Sequence, residues 1–244
     1  MRILTLIKEF CPESILNSAL RVRSRLRNWR FAQSSPGEVF AQIYRNPVWG
    51  GTSVSGAGSD LGQTESVRKE LPQLLKAFDI KRLLDLPCGD FNWMQHVELA
   101  GCDYTGGEIV RDLVEANTAK YGKANRRFRQ LDLMNDALPP ADLLLCRDCL
   151  IHLSFQDAQA AIANIARGEI TYLLTTTYPL ITRNTDIITG DFRAINLQLA
   201  PFRFPKPLAV INEDLFPSLE SNPNFIRQLG LWRVCELSGN AGKR

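Results

Sequence analysis

One stretch, Lys81-Arg82-Leu83-Leu84-Asp85-Leu86-Pro87-Cys88-Gly89-Asp90-Phe91, limits the folds open to this chain. Residues 83–86 form an apolar run too short for a buried helix and suited to a buried parallel strand. Pro87 closes that strand, because it brings no N–H to the ladder. Gly89 accepts backbone angles that other residues resist and lets a ligand approach the main chain. A strand, a glycine turn and a helix start together form the place where doubly wound α/β folds bind nucleotides.

The segments on either side fit the same plan. Thr64 caps a helix through about Phe78, with Leu71, Leu74, Leu75 and Phe78 on its buried face. Phe91 to Leu99 reads as a helix after the turn. Asp103 to Val110 reads as a second strand carrying Glu108, about 20 positions beyond Gly89, where nucleotide folds place an acid on ribose hydroxyls. A helix to about Tyr121 follows, then a third strand, Arg127 to Leu131, that runs into Asp132. Pro139-Pro140 breaks the chain. A fourth strand, Asp142 to Cys146, enters Arg147-Asp148-Cys149-Leu150-Ile151-His152. A helix over about Gln156–Ala166 and a fifth strand, Thr171–Thr175, complete the alternation, which predicts a parallel sheet with helices on both faces. Leu208–Ile211 and Leu231–Leu237 read as final strands.

The run from Asp85 to Thr177 resembles the core of the class I S-adenosylmethionine-dependent methyltransferases, over roughly residues 64–177. One glycine, Gly89, stands where that family often has three, with Pro87 and Phe91 in the other two places. The resemblance implies a doubly wound, mostly parallel seven-stranded α/β sheet whose last strands pair antiparallel. It implies S-adenosylmethionine as cofactor, held by Asp85, Pro87, Cys88 and Gly89 at the turn. Glu108 and Ile109 would lie at the ribose, Asp132 and Leu133 at the adenine, and Arg147 near the methionine moiety. Trp49 and Ser59, in the segment Trp49-Gly50-Gly51-Thr52-Ser53-Val54-Ser55-Gly56-Ala57-Gly58-Ser59-Asp60, join that set. The segment reads either as a nest of N–H groups that binds an anion or as a flexible linker.

Methyl transfer needs positioning above all, and sometimes a base for the acceptor's proton. His152 and Asp148, just past the fourth strand, are the candidates; His152 can equally serve to cap the next helix. Cys146 and Cys149 with His152 look like part of a zinc site, but no second cysteine pair stands at finger spacing. The polar segment Thr177–Asn196 is expected to cover the cofactor and present the acceptor, with Arg183 and Arg193 clamping a carboxylate or phosphate on it.

Composition narrows the function classes. Of 244 residues, 45% are apolar, and the longest apolar run is too short to span a membrane. Residues 1–30 carry seven basic and two acidic side chains, so the remainder of a +3 chain is −2. The body therefore lacks a nucleic-acid footprint. Residues 1–35 read as a basic amphipathic helical arm, and 36–244 as the catalytic domain, divided at Gln33-Ser34-Ser35-Pro36-Gly37. The arm packs on its own domain, or touches anionic lipid or RNA. Six scattered cysteines and no signal-peptide pattern point to reduced thiols in the cytoplasm, with the arm a candidate for contact with the inner face of a membrane. The reading that emerges is methyl transfer to a small polar or sugar-like acceptor, at oxygen. The alternatives are an RNA or protein methyltransferase recruited by the arm, and an inactive cofactor-binding module. A nicotinamide dehydrogenase fits less well, because the turn lacks the three-glycine fingerprint.

Overall fold

The structure, a computed structural model, describes residues 31–46, 53–99, 101–213 and 226–237. The basic arm through residue 30 and Trp49 lie outside them. Helix α1 (Pro36–Arg45) comes first. The segment expected to be a linker is instead its start. Ser35 is the N-cap in a reciprocal box: its N–H donates to Glu38 Oε2 at 2.8 Å, and its Oγ accepts from the Glu38 N–H. Pro36, at the first helical position, has the φ a helix needs.

Helix α2 (Glu65–Ala77) leads to β1 (Arg82–Asp85). Thr64 occupies the N-cap position, but its hydroxyl turns back to the Asp60 and Leu61 carbonyls, so it does not cap α2. The order then runs β2 (Asp103–Glu108), α3 (Arg111–Tyr121), β3 (Arg126–Gln130), β4 (Ala141–Cys146), α4 (Phe155–Arg167), β5 (Ile170–Thr177), β6 (Ala209–Asn212), β7 (Gln228–Arg233) and a helical turn α5 (Val234–Leu237). The last strand thus lies about three residues earlier than expected.

The sheet has seven strands in the order β3-β2-β1-β4-β5-β7-β6. Strands β1 to β5 pair parallel, while β7 pairs antiparallel with β5 and β6. Because β1 lies between β2 and β4, the turn after β1 sits at the switch point where the strand order reverses. The apolar runs are continuous because both faces are covered. Leu83, Leu143 and Leu145 join Leu71 and Leu75 of α2 on one face; Leu84 and Leu144 join Ile165 of α4 on the other. Each fully buried leucine contributes about 1.5–3 kcal/mol.

The helix expected over 91–99 does not form. Phe91 takes φ +57, outside the right-handed helical region, and only Met94–His96 makes a 3-10 turn. The cause is packing. The Phe91 ring is fully buried against Tyr104, Tyr121 and Phe128, with ring centroids 5.0–5.3 Å away.

Candidate active site

The turn after β1 is built by its neighbours. The Leu86 N–H bonds the Leu145 carbonyl and the Cys88 N–H bonds the Gly107 carbonyl, so both flanking strands hold it. Gly89 has φ +54, and a Cβ there would lie 2.2 Å from Ser55 Oγ. Its N–H donates to Glu108 Oε2 at 3.1 Å, and its carbonyl accepts from Asn117 at 2.7 Å. Glu108 Oε1 accepts the N–H groups of Ile109 and Val110. Burial raises the Glu108 pKa despite these three bonds. Asp85 is buried too, and burial pushes its pKa up to about 7, although the Tyr104 hydroxyl donates to it at 2.7 Å.

Within the described residues, the glycine- and serine-rich segment does bind an anion: the carboxylate of Asp90. The Ser53 hydroxyl and the Val54 N–H donate to Asp90 Oδ2, and the Ser55 hydroxyl donates to Oδ1. Asn92 reaches back to the Ser59 carbonyl at 2.9 Å. The segment is therefore bolted down beside the turn.

Beyond β4, Arg147 and Asp148 form a closed ring of charge with Glu213 and Arg227. Arg147 Nε meets Glu213 Oε1 at 2.7 Å, and Arg227 Nη1 meets Asp148 Oδ2 at 2.9 Å. Arg147 also donates to the Gly58 carbonyl at 2.8 Å. Asp148 sits at φ +50, held by Thr176, whose hydroxyl is 3.0 Å from Oδ1. Burial would raise the Asp148 pKa, but Arg227 and Arg147 outweigh it and hold the carboxyl below its usual range. That makes Asp148 a fixed anion and a poor base. His152 closes the 3-10 turn Leu150–His152. Its Nδ1 lies 2.8 Å from the Asp191 carbonyl, which only accepts, so the proton sits on Nδ1 and Nε2 is the basic nitrogen. Burial lowers the His152 pKa, and the ring is neutral at neutral pH.

These groups surround one cleft. Of the candidates read from the sequence, Ser59, Asp85, Pro87, Cys88, Gly89, Glu108, Ile109, Asp132, Leu133, Arg147, Asp148 and His152 line it. Asp132 does so while capping its own turn, accepting from the Met134 N–H and the Asn135 side chain. Arg193 is the exception. It is buried away from the cleft, its guanidinium 5.0 Å from the Phe155 ring and Nη1 on the Leu153 carbonyl at 2.5 Å. Burial lowers its pKa to about 10. No residue of 177–196 lines the cleft, so this segment does not cover it as expected. The roof comes instead from α1, through Phe40, Ile43 and Tyr44. Sequence reasoning missed this, as it missed Asp90, Glu213 and Arg227. Asp90 was within reach, since it follows Gly89. Glu213 and Arg227 stand 66 and 79 positions from their partners Arg147 and Asp148, with no local signal.

No protein-family model and no curated protein matches the sequence. Solved structures do match. The mitomycin 7-O-methyltransferase MmcR aligns over 84% of this chain and 60% of its own, at 14% identity and TM-score 0.56. Magnesium protoporphyrin IX methyltransferase from Synechocystis PCC 6803, with S-adenosylhomocysteine bound, aligns over 81% of this chain and 98% of its own, at 13% identity and TM-score 0.54. The N-methyltransferase NodS from Bradyrhizobium japonicum WM9 aligns over 72% and 98%, at 12% and TM-score 0.53. The chain thus has the fold of the class I S-adenosylmethionine-dependent methyltransferases.

Proposed function

We propose that this protein transfers a methyl group from S-adenosylmethionine to a hydroxyl of a small polar acceptor, with His152 as general base. One observation carries the reading. The cleft at the switch point holds a neutral imidazole whose Nδ1 is committed to the Asp191 carbonyl, beside an Asp148 that two arginines keep ionised.

The residues fit the cofactor. Gly89 presents bare backbone, and Glu108 uses three of its roughly four acceptor sites on main-chain N–H groups, leaving capacity for a ribose hydroxyl. Ile109, Leu131, Leu133 and Met134 give apolar walls suited to the adenine. S-adenosylmethionine would supply a methyl group made electrophilic by its sulfonium, and would keep the electron pair of the broken C–S bond as a neutral thioether. The chain's own part is to hold the acceptor oxygen in line and to take its proton on Nε2 of His152 as the new C–O bond forms. The resulting imidazolium is favoured by the Asp148 charge and by the Asp191 carbonyl. The roof formed by α1 keeps water from the cleft.

The test pairs binding with transfer. Calorimetry should show S-adenosylmethionine bound and NAD ignored; the reverse would end this reading. Glu108→Ala should weaken cofactor binding by about 1.5–3 kcal/mol. His152→Gln should leave that affinity intact but cut transfer of labelled methyl to hydroxyl compounds by roughly 10²–10⁴. Transfer to amines only, unaffected by His152→Gln, would replace the hydroxyl with nitrogen as acceptor.

A further inference from the structure

The segment after β5 is a strap rather than an open loop. Its residues bond five consecutive positions of the turn that carries His152. The Arg193 N–H donates to the Ile151 carbonyl at 3.1 Å, and the Gly190 N–H to the His152 carbonyl at 2.8 Å. Arg193 Nη1 takes the Leu153 carbonyl. The Ser154 N–H donates to Thr189 Oγ1 at 2.9 Å, and the Phe155 N–H to Asp186 Oδ1 at 2.7 Å. The Thr189 hydroxyl in turn donates to Asp157 of α4. Phe192 stands beside the imidazole, ring centroids 5.9 Å apart.

The roof rests on the same strap. Gly190 has φ +98, and a Cβ there would lie 2.5 Å from Val39 Cγ1 and 2.9 Å from Phe31 Cδ2. Val39, fully buried, forms a small apolar seat with Phe31 and Ile43. One residue past the point where α1 sits, the Asp191 carbonyl holds His152 Nδ1. Roof and base therefore share a two-residue support.

Resting on the methyltransferase reading of the cleft, we propose that Gly190 and Asp191 are positioning residues: they fix the tautomer and orientation of His152, and α1 seated on Gly190 keeps them in register. A roof displaced from Gly190 frees the Asp191 carbonyl to turn away. The base then loses its preferred tautomer at the moment the cleft opens to water. The charged groups around the imidazole are Asp148 on its own turn and Asp191 and Arg193 on the strap, while Tyr44 of α1 lines the same cleft.

The test needs no acceptor, because the chain has two histidines, His96 and His152, and imidazole nitrogen shifts report tautomer directly. Long-range 1H–15N spectra of the full chain across pH should show wild-type His152 as a single Nδ1–H form that titrates below its ordinary value. Gly190→Ala and the milder Val39→Ala should each give a mixture of tautomers. The His152 midpoint should rise toward the ordinary imidazole value, because water reaching the ring relieves the burial that lowers it, a larger effect than the loss of the Asp191 carbonyl bond. His96 should stay unchanged. If Gly190→Ala fails to fold, Val39→Ala decides by the same two signals. Folded variants with a wild-type His152 spectrum, or a wild-type protein without the Nδ1–H form, would overturn the proposal. Calorimetry with S-adenosylmethionine on wild type tests the methyltransferase reading separately.

Discussion

At the scale of single residues, the two buried acids beside the turn share a cost and differ in use. Asp85 and Glu108 are both buried, and burial raises both pKa values. Glu108 lies among donors and is equipped to accept more. Asp85 has the Tyr104 hydroxyl, and its ionised form is the costly one. The sign follows from linkage. The folded pKa of about 7 exceeds the unfolded value near 3.8. The favourable contribution of protonated Asp85 is therefore fully present below about 3.8 and lost as pH rises through about 7. At 1.36 kcal/mol per pH unit, the loss is on the order of a few kcal/mol. Asp85→Asn cannot ionise, yet its amide oxygen still accepts from Tyr104. Urea unfolding at pH 4, 5.5, 7 and 8.5 should show the variant gaining on wild type up to about pH 7 and no further. A pH-independent difference between the two would mean that Asp85 is already ionised across the range.

At the scale of elements, the start of the stretch 53–60 is held by one carboxylate, while Asn92 and Arg147 hold its end. Asp90 accepts from Ser53, Val54 and Ser55, and also from the Asn92 N–H at 3.2 Å. Asp90→Ala removes all four at once, while the strands and α2 keep their own ladders. Hydrogen exchange should therefore accelerate at residues 53–60 and stay unchanged in α2 and β1. Equal protection throughout would show that Arg147 on the Gly58 carbonyl suffices to hold the segment. The elements differ in how far the sequence discloses them. The strands were legible because β1, β4 and β5 are apolar runs bounded by turn residues and covered on both faces. The helix read at 91–99 was not, because the burial of one ring among Tyr104, Tyr121 and Phe128 put Phe91 at positive φ, and those partners lie far along the chain. The box of Ser35 and Glu38 was a local signal, available and overlooked, since the Ser-Ser-Pro-Gly composition around it reads as a linker. The segment 177–196 looked polar enough to need a ligand. It places Asp186, Thr189, Gly190 and Arg193 instead on the turn 151–155, a partner that periodicity cannot reveal.

At the scale of the whole molecule, the ring of Arg147, Asp148, Arg227 and Glu213 joins parts that the chain order keeps apart. Arg147 and Asp148 follow β4. Glu213 follows β6 and Arg227 precedes β7, and the Glu213 N–H bonds the Arg227 carbonyl at 3.1 Å. Through Gly58 the ring also reaches the segment docked on the turn. Signs alternate around it, so a site almost closed to solvent holds four charges and no net charge. The Arg147, Glu213 and Arg227 side chains are 4%, 0% and 5% exposed. In such a place the pairs gain little over apolar residues of similar volume, but the loss of one member strands the others. Glu213→Gln leaves two guanidinium groups facing one carboxylate and should cost about 3–5 kcal/mol of stability. Arg227→Gln should cost a similar amount by leaving two carboxylates facing one guanidinium. The double variant restores balance, because Arg147 and Asp148 remain paired. It should therefore lose less than the sum of the singles by at least about 1 kcal/mol, within the range of coupling between contacting groups. Urea unfolding of all four proteins, compared at constant m, measures this coupling. Additive losses would mean that the charges act as separate pairs, and a Glu213→Gln variant as stable as wild type would mean that water reaches the ring.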